Sequence, residues 1–182
     1  QAALRPGEDL LSLGVGGGVS SVAVQIGKLC GARVFVTSSS DDKIERARAL
    51  GADGGVNYTK TDWTKAVREW TGRRGVDVVL DNVGAATWAG SIRSLTSGGR
   101  LVTCGSTSGP IAETDLRIVF WRQLRIIGST MANRTEFRQV MNQLFTGRLR
   151  AVVDRTFPLA ETAAALTFLQ KGEQFGKLVV TV

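Results

Sequence analysis

The sequence predicts a doubly wound α/β fold, in which about six parallel strands carry helices on both faces. Short apolar runs alternate along the chain with stretches that have the helical spacing of apolar residues. These runs are almost wholly hydrophobic, which is typical of parallel strands buried on both faces. A glycine cluster joins the first run to the first helix. The 182 residues are enough for one domain with a substantial core.

The predicted strands and helices follow one another regularly through the first two thirds of the chain. The first unit is an apolar run at residues 10–13 and a helix at residues 19–30. The next strand and helix pairs lie at residues 33–37 and 41–50, 56–58 and 62–70, 76–80 and 85–95, and 100–104 and 116–123. Glycines end or separate several of them, notably Gly51 and Gly98-Gly99. The run Leu124-Arg-Ile-Ile127 is predicted to be the edge strand of the sheet.

The last part of the chain departs from this alternation. It contains a helix at residues 136–145, an extended piece at 151–153, a helix at 160–170 and a closing strand at 177–182. The last three of these elements follow six strand–helix units, which indicates a different structural layer. We therefore predict a domain at residues 1–150 and a separate C-terminal segment at residues 151–182.

The composition excludes several classes of enzyme. The chain has no His, which removes Ser-His-Asp and Cys-His catalysis and the commonest metal ligand. Two Cys residues, at positions 30 and 104, cannot form a disulfide scaffold or a zinc site of cysteines. We therefore expect no catalytic residue and no metal ligand in this chain.

The net charge of +7 is a weaker signal. Lys and Arg are scattered and interleaved with apolar or acidic residues, and no aromatic and basic repeat accompanies them. This pattern favours a solvated basic surface over a nucleic-acid partner. A nucleic-acid binder would retain DNA in a salt-sensitive manner that a nucleotide cofactor does not compete away.

No apolar run approaches the length of a membrane span, and the first residues have neither a basic start nor an apolar signal core. We therefore expect a cytoplasmic protein without a membrane partner. The turn Arg5-Pro-Gly-Glu8 leads directly into the first strand. From this we expect the chain to be entered part-way along a longer protein.

The glycine cluster after the first strand is the most informative segment. It comprises Gly14, Gly16, Gly17 and Gly18, followed by Val19 and Ser20. Glycines there permit positive φ and a close approach of phosphate to the backbone, and the following helix N-terminus attracts a pyrophosphate. Between a strand and a helix of a βαβ series, the cluster predicts a dinucleotide site of the Rossmann type. The third glycine of the usual pattern is replaced by Ser20, which is small enough to be tolerated.

The end of the second strand distinguishes between the two nicotinamide cofactors. An NAD site normally has an Asp or Glu there for the ribose 2′-hydroxyl, whereas this chain has Ser38, Ser39 and Ser40. Hydroxyl groups followed by Lys43 suit a 2′-phosphate. Asp41 and Asp42 follow, and we interpret them as caps of the next helix. The segment therefore favours NADP(H) over NAD(H).

The motifs, taken in order, resemble the cofactor-binding half of the medium-chain dehydrogenase/reductase superfamily, and in particular zinc-type alcohol dehydrogenases and quinone oxidoreductases. The resemblance covers nearly the whole chain. Besides the glycine cluster and the serine segment, it is carried by Arg5-Pro-Gly-Glu8, Leu50-Gly-Ala-Asp53, Gly75-Val-Asp-Val-Val79, Asp81-Asn82-Val83-Gly84 and Gly176-Lys-Leu-Val179.

The resemblance implies a role for further residues. It places Gly17, Gly18 and Val19 at the pyrophosphate; Ser39 or Ser40, Lys43 and Tyr58 at the 2′-phosphate; and Asn82 near the ribose. Cys104, Gly105 and Ser106 match the cofactor-binding segment after the fifth strand, and Gly128 and Ser129 lie near the expected place of the nicotinamide. For Tyr58 a half-buried loop aromatic is the alternative. We expect Cys104 to be a small core residue and Asp81 to bond loop N–H groups.

The resemblance also implies what this chain lacks. Full-length members have an N-terminal GroES-like domain that supplies most of the substrate pocket and, in zinc-dependent members, the metal ligands. We therefore expect zinc only in a full-length parent enzyme, and apolar surface on the C-terminal segment.

The function implied is hydride transfer between NADPH and a small carbonyl, alcohol, quinone or activated alkene, for which the chain alone is an incomplete catalyst. The alternatives are a stand-alone NADP(H) sensor or interaction module, and an enoyl reductase domain of a polyketide synthase. The resemblance further implies a homodimer formed through residues 124–127.

Overall fold

Six parallel strands form the central sheet of the structure, a computed structural model that describes residues 1–182. The strands are β1 (Asp9–Ser12), β2 (Arg33–Ser38), β3 (Gly54–Asn57), β4 (Val76–Asp81), β5 (Leu95–Thr103) and β6 (Arg125–Gly128). Their order is β3-β2-β1-β4-β5-β6. The helices between and after them are α1 (Gly18–Leu29), α2 (Asp41–Ala49), α3 (Trp63–Trp70), α4 (Ala85–Ser94), α5 (Leu116–Trp121) and α6 (Arg134–Phe145). The predicted doubly wound parallel fold with six strands is confirmed.

Both faces of the sheet are buried because neighbouring residues of each strand point in opposite directions. Leu10 belongs to one hydrophobic cluster and Leu11 to the other, and Val34 and Phe35 divide in the same way. The first cluster also contains Val24 of α1, whereas the second contains residues of α3 and α4. The almost wholly apolar runs of the sequence are therefore explained by two cores, one on each side of the sheet.

The order of the strands reverses between β1 and β4. The chain first proceeds outward from β1 to β2 and β3, and then returns to place β4, β5 and β6 on the other side of β1. In open parallel sheets, the crevice beyond the carboxyl ends of the strands at this reversal is the usual place for a ligand. The glycine cluster directly follows β1 and therefore lies in this crevice.

Two predicted elements have a boundary that differs from the structure by more than two residues. The strand predicted at residues 100–104 begins already at Leu95, where the helix was expected to continue. Leu95 pairs with Val76, and the register then shifts so that Arg100 pairs with Val78. The predicted Gly98-Gly99 turn is therefore an irregularity inside β5. The extended piece predicted at 151–153 is instead β7 (Val153–Pro158), where most residues are exposed, so that hydrophobicity gave little signal.

The C-terminal part of the chain forms a layer of its own, as the sequence indicated. β7 pairs in parallel with β8 (Lys177–Thr181) in a separate two-stranded sheet, and a 3₁₀ turn (Leu159–Glu161) and α7 (Thr162–Gln170) connect them. Val179 and Val180 of β8 are 37% and 38% exposed, so this sheet presents the expected apolar surface. A boundary between residues 150 and 151 stays a prediction.

Buried contacts join this C-terminal part to the central sheet. Phe175 is 2% exposed and belongs to the core cluster of Leu10. The guanidinium of Arg46 lies over its ring at 4.6 Å and also donates to Asp154 at 2.7 Å. The side chain of Gln25 exchanges two hydrogen bonds with the backbone of Arg150, at 2.9 and 3.1 Å. The C-terminal part is thus packed on the side of the sheet that carries α1 and α2.

The Arg46–Asp154 pair makes the stability of this packing pH-dependent. Burial raises the pKa of Asp154, but hydrogen bonds from Arg46 and from the N–H of Phe175 outweigh it and lower the pKa overall. A depressed pKa in the folded state stabilises the protein above the unfolded pKa of about 3.9, and this stabilisation is lost as the pH falls through the folded pKa.

We expect Asp154→Asn to lower the free energy of unfolding by about 1 kcal/mol at pH 7, because the charged hydrogen bond to a partly exposed Arg46 is lost. The difference from wild type should shrink toward zero as the pH falls below about 4. Urea unfolding of both chains between pH 7 and pH 3 measures it. A difference that stays constant over this range would contradict the role of the carboxylate.

Candidate nucleotide-binding site

The turn after β1 needs glycine for its backbone conformation. Gly14 has φ +63° and Gly16 has φ +138°, values at which other residues are strained. The N–H of Val15 donates to the carbonyl of Thr37 at 2.7 Å, and the N–H of Gly14 donates to Oγ1 of the same residue. The turn is therefore fixed between the ends of β1 and β2.

The start of α1 is open to an anion. Gly17 is the N-cap, so no side chain caps the helix, and the first turn contains no acidic residue. The first N–H groups of a helix have no partner within the helix and carry a partial positive charge. A Cβ placed on Gly17 would meet nothing within 4 Å, so its surface faces open space. Backbone N–H groups and the missing side chain together form a cradle for a phosphate.

Ser20 shows why the third glycine of the usual pattern is dispensable here. Its side chain is fully buried, and Oγ donates a hydrogen bond of 2.7 Å to the carbonyl of Leu13. The hydroxyl thereby joins α1 to the end of β1. The tight packing for which glycine is usually required is kept by a small residue with a satisfied hydrogen bond.

The serines after β2 are held by backbone hydrogen bonds. Ser38 is buried, and its Oγ accepts from the N–H of Ser40 at 3.3 Å. Ser40 is the N-cap of α2 and accepts from the N–H of Lys43 at 3.4 Å. The interpretation of Asp41 and Asp42 as caps is therefore wrong, because Ser40 precedes them at the cap position. The hydroxyl of Ser40 still has its own proton to donate to a phosphate.

Asp41 is instead paired with the last residue of β3 and with Lys60, which follows this strand. Its carboxylate accepts from Asn57 at 3.0 Å and from Lys60, and these hydrogen bonds, the Lys60 bond above all, lower the pKa of Asp41. Tyr58 lies beside this group and is 48% exposed. The negative charge of Asp41 is thus balanced by Lys60, which reduces its repulsion of a phosphate at the end of β2.

Lys43 lies directly over the glycine turn. A Cβ on Gly16 would be 3.0 Å from Cδ of Lys43 and 3.3 Å from its Nζ. Nζ donates to the carbonyl of Gly172 and forms no salt bridge with a carboxylate. Burial lowers the pKa of Lys43, and the negative charges of Asp154, Asp42 and Glu173 oppose this effect only in part. A phosphate of a bound nucleotide would supply a closer anionic partner.

The end of β4 contributes a rigid loop. Asp81 is fully buried and accepts from the N–H groups of Val83 and Gly84, as predicted, and from the hydroxyls of Thr87 and Ser91. The Oδ1 atom of the neighbouring Asn82 is buried without a hydrogen-bond partner. Such an unpaired acceptor at the candidate site fits a ligand that donates a hydrogen bond, as a ribose hydroxyl does.

The ends of β5 and β6 bring the remaining predicted residues to the same edge of the sheet. Cys104, Gly105 and Ser106 follow β5, and Ser129 follows β6, where its N–H donates to the carbonyl of Thr103 at 2.9 Å. Gly128 is the last residue of β6, and a Cβ placed on it would meet nothing within 4 Å. The predicted residues are therefore distributed over the carboxyl ends of all six strands.

The expectation that Cys104 is a core residue is wrong. β5 ends at Thr103, so Cys104 lies in the loop and its side chain is exposed. Partial burial and the nearby Asp81 nevertheless raise the pKa of the thiol. The thiol form is thus favoured over the reactive thiolate.

Lys177 is a residue at this site that was not predicted from the sequence. A Cβ on Gly18 would lie 2.6 Å from Cδ of Lys177 and 3.4 Å from its Nζ. The N–H of the preceding Gly176 donates to the carbonyl of Gly16 at 2.8 Å, which brings the C-terminal segment onto the glycine turn. In the sequence, Lys177 is a single cation that follows a glycine at the start of the closing strand. This pattern is too weak to predict a contact with residues about 160 positions earlier in the chain.

No group of three or more His, Cys, Asp or Glu side chains is placed to hold a metal ion. Cys30 and Cys104 are both unpaired, and they belong to separate loops at the ends of different elements. None of the helices combines the length and the apolarity that crossing a bilayer would require.

A sequence profile described as zinc-binding dehydrogenase matches residues 18–146 of this chain. The chain belongs to the zinc-binding dehydrogenase family. This confirms the resemblance to the zinc-type alcohol dehydrogenases of the medium-chain superfamily. The matched region begins at Gly18, the first residue of α1, and extends through α6.

Individual relatives agree with this assignment. The chain is 33% identical over 187 residues to a zinc-type alcohol dehydrogenase-like protein of Leptosphaeria maculans, covering 98% of this chain and 52% of that protein. The crystal structure of an NAD-dependent alcohol dehydrogenase superposes with a TM-score of 0.93 at 43% identity, over 100% of this chain and 53% of the other. The 2-octenoyl-CoA carboxylase reductase CinF, in complex with NADP and 2-octenoyl-CoA, gives 0.89 at 33% identity, over 98% and 44%. This zinc-binding dehydrogenase chain spans about half the length of the relatives that it matches.

Proposed function

We propose that this chain is the NADP(H)-binding domain of an oxidoreductase that transfers hydride between the nicotinamide and a small carbonyl, alcohol, quinone or activated alkene. The observation that carries the proposal is the cradle at the start of α1, an open N-terminus at Gly17 with Lys177 beside Gly18. Unpaired helix N–H groups and this neighbouring cation match the charge of a dinucleotide pyrophosphate, while Lys43, beside Gly16, is left for the 2′-phosphate.

The chemistry in this proposal is divided between the cofactor and the protein. A bound NADPH supplies the hydride from its nicotinamide ring. The chain itself contributes position and electrostatics: the glycine turn and the lysines hold the phosphates, and the Asp81 loop holds Asn82 at the ribose. Because no group here polarises a substrate carbonyl, we expect the chain alone to bind cofactor and to turn over poorly.

The names of the relatives favour an oxidoreductase over a stand-alone nucleotide sensor. They are dehydrogenases and reductases, and CinF was solved with NADP. The names of these relatives also give no support to an enoyl reductase domain of a polyketide synthase. The substrate stays a proposal at the level of chemical class.

NADP(H) and NAD(H) remain the two candidate cofactors, and one observation supports each. The end of β2 has three hydroxyl residues and Lys43 where an NAD site has a carboxylate. The NAD-dependent alcohol dehydrogenase that superposes on this chain argues for NAD(H). Since Asp41 is paired with Lys60 while Lys43 has no carboxylate partner, the local charge favours the 2′-phosphate.

Replacing Lys43 by Ala is expected to weaken NADPH binding about 10-fold to 100-fold and NADH binding less than about 3-fold, because a charged hydrogen bond to a phosphate contributes about 1.5–3 kcal/mol. Calorimetric titration of the chain with both cofactors, with Trp fluorescence as a second readout, measures this. Lys28→Ala is the matched control, since Lys28 pairs with Asp53 near the far end of α1. Equal affinity of the wild-type chain for the two cofactors would contradict the assignment of Ser39, Ser40 and Lys43 to a 2′-phosphate.

We also propose a homodimer formed through β6. This strand is at the edge of the sheet, as predicted, and Ile126 is 41% exposed. An open apolar edge is prone to pair with another strand. Sedimentation at several concentrations tests this proposal, and a monomer throughout would contradict it. A cytoplasmic location stays a prediction.

A further inference from the structure

A cavity of about 380 Å³ lies at the end of the sheet opposite to the candidate nucleotide site. Its walls come from α3 and the turn that follows it, from the end of α4 and the start of β5, and from Arg122 before β6. None of its 11 wall residues is hydrophobic. Since β4 has six residues, about 17 Å of strand separates this end of the sheet from the glycine turn.

The wall carries an uncompensated positive charge. Its charged residues are Lys65, Arg68, Arg73, Arg74, Arg93 and Arg122, and no wall residue is acidic. Arg74 is the one that is neutralised, since it donates to Asp77 and to the buried Asp9 at 2.7 Å each. The other five form no salt bridge with a carboxylate.

The dipoles of the two neighbouring helices offset only a part of this positive charge. α3 and α4 both end at the cavity, and Arg68 and Arg93 lie in their last turns. A helix C-terminus carries about half a negative elementary charge, so the two helices together offset about one of the five cations. Roughly four positive charges are left to face the cavity, which a purely structural role at the helix ends does not explain.

An unpaired hydroxyl lies in the same wall. Ser94 is 6% exposed, and its Oγ has no hydrogen-bond partner. Buried polar groups are rarely unpaired in proteins, and a ligand bound in the cavity would supply the missing partner. Arg122 is held nearby, where its Nη1 donates to the carbonyls of Arg93 and Leu95 at 3.3 and 3.2 Å. Its other guanidinium N–H groups have no protein acceptor.

We propose that this cavity binds a compact, multiply charged phosphate compound, such as an inorganic polyphosphate or a sugar phosphate. Arginine is suited to this role because its planar guanidinium donates two parallel hydrogen bonds to one phosphate. The volume matches a small ligand. A nucleic acid fits less well, since single-strand binders need aromatic side chains for base stacking and this wall has none.

Arg73 offers a substitution that separates binding from folding. It has φ +70°, which is strained for any residue except glycine and the short polar ones. It follows Gly72 at the end of α3, and its N–H donates to the carbonyl of Arg68 at 2.6 Å. Arg73→Gly keeps this backbone hydrogen bond and relieves the strain, so the variant should melt no lower than wild type.

The test is calorimetric titration of the 182-residue chain with sodium tripolyphosphate at low ionic strength, with and without saturating NADP⁺. We expect binding that NADP⁺ leaves unchanged, a loss of affinity of at least about 10-fold in the double variant Arg73→Gly/Arg93→Gln, and a smaller loss in Arg73→Gly alone. Arg138→Gln/Arg148→Gln is the matched control, because it removes the same charge from exposed positions outside the cavity. The control should stay within about 2-fold of wild type.

Three results of the tripolyphosphate titrations would overturn the proposal. The first is the absence of tripolyphosphate binding at millimolar concentration. The second is equal weakening in the double variant and in its control, which would show a general charge effect. The third is displacement of the probe by NADP⁺, which would place it at the glycine turn. A single-stranded oligonucleotide is titrated in parallel; if it binds more tightly than tripolyphosphate and loses affinity in the double variant alone, the cavity belongs to a nucleic-acid surface instead.

Discussion

Replacing Gly17 by Asp is expected to abolish tight cofactor binding while leaving the fold at least as stable as that of wild type. Gly17 has φ −85° and ψ 166°, an extended conformation that any residue adopts at an N-cap. A Cβ there meets nothing within 4 Å. Asp is among the preferred N-caps, so the substitution should stabilise α1 by a few tenths of a kcal/mol.

The same carboxylate would lie where the cradle receives a phosphate. Two unit charges about 5 Å apart in a partly solvated site repel by about 3 kcal/mol, which corresponds to roughly a 100-fold loss of affinity. The aspartate would also occupy the N–H groups that a pyrophosphate needs. We therefore expect a higher melting temperature and a much weaker binding of NADP(H), measured on the same sample by calorimetry.

Gly17→Ala is the matched control, with the opposite balance of effects. Alanine cannot cap the helix and should cost up to about 1 kcal/mol of stability, but it adds no charge and should weaken binding less than Asp does. If Gly17→Asp bound NADP(H) as tightly as wild type, the start of α1 would not be the phosphate site.

The parallel sheet and the edge that carries the candidate site could be predicted from the sequence, because both depend on local patterns. Apolar runs separated by amphipathic helices define parallel strands, and loops after such strands share one edge. Hence Gly14, Ser40 and Asn82 lie at the same edge of the sheet, although they are far apart in the chain. Residue preferences for the N-cap position do not decide whether Ser40 or Asp41 caps α2, because the two positions differ by a single residue.

The features that sequence reasoning missed depend on how distant segments pack. Lys177 reaches Gly18 because the C-terminal sheet lies against α1, and nothing local encodes that contact. The basic cavity joins residues of α3, α4 and the segment before β6, whose cations are scattered in the sequence. Cys104 was misjudged because β5 ends at Thr103, one residue before its apolar pattern ends.

Replacing Asp81 by Ala is expected to cause the largest loss of stability in this site. The fully buried carboxylate accepts from the N–H groups of Val83 and Gly84 at 2.8 and 3.0 Å and from the hydroxyls of Thr87 and Ser91 at 2.8 and 2.7 Å. Alanine would leave two backbone donors in the buried loop without an acceptor. At about 1–3 kcal/mol for each unsatisfied buried group, we expect unfolding to become easier by about 4 kcal/mol.

Asp81→Asn keeps the size and the hydrogen-bonding capacity of the side chain and removes its charge. Its carbonyl oxygen can still accept from both backbone N–H groups, and its amide can donate to the hydroxyls of Thr87 and Ser91 once these rotate. We therefore expect the free energy of unfolding to fall by only about 1–2 kcal/mol in Asp81→Asn. In urea unfolding the two variants should differ by at least about 2 kcal/mol, with the same dependence of the unfolding free energy on urea concentration.

Cofactor binding should follow the same order, since the loop held by Asp81 carries Asn82. In Asp81→Ala the freed loop has to be ordered again when a nucleotide binds, which costs affinity even at temperatures where the chain is folded. Asp81→Asn keeps the loop and should bind NADP(H) within a few-fold of wild type. If the two variants were equally stable, or if Asp81→Ala bound cofactor normally, the carboxylate would be a packing residue and the position of Asn82 would have to be maintained by the contacts of Gly105 instead.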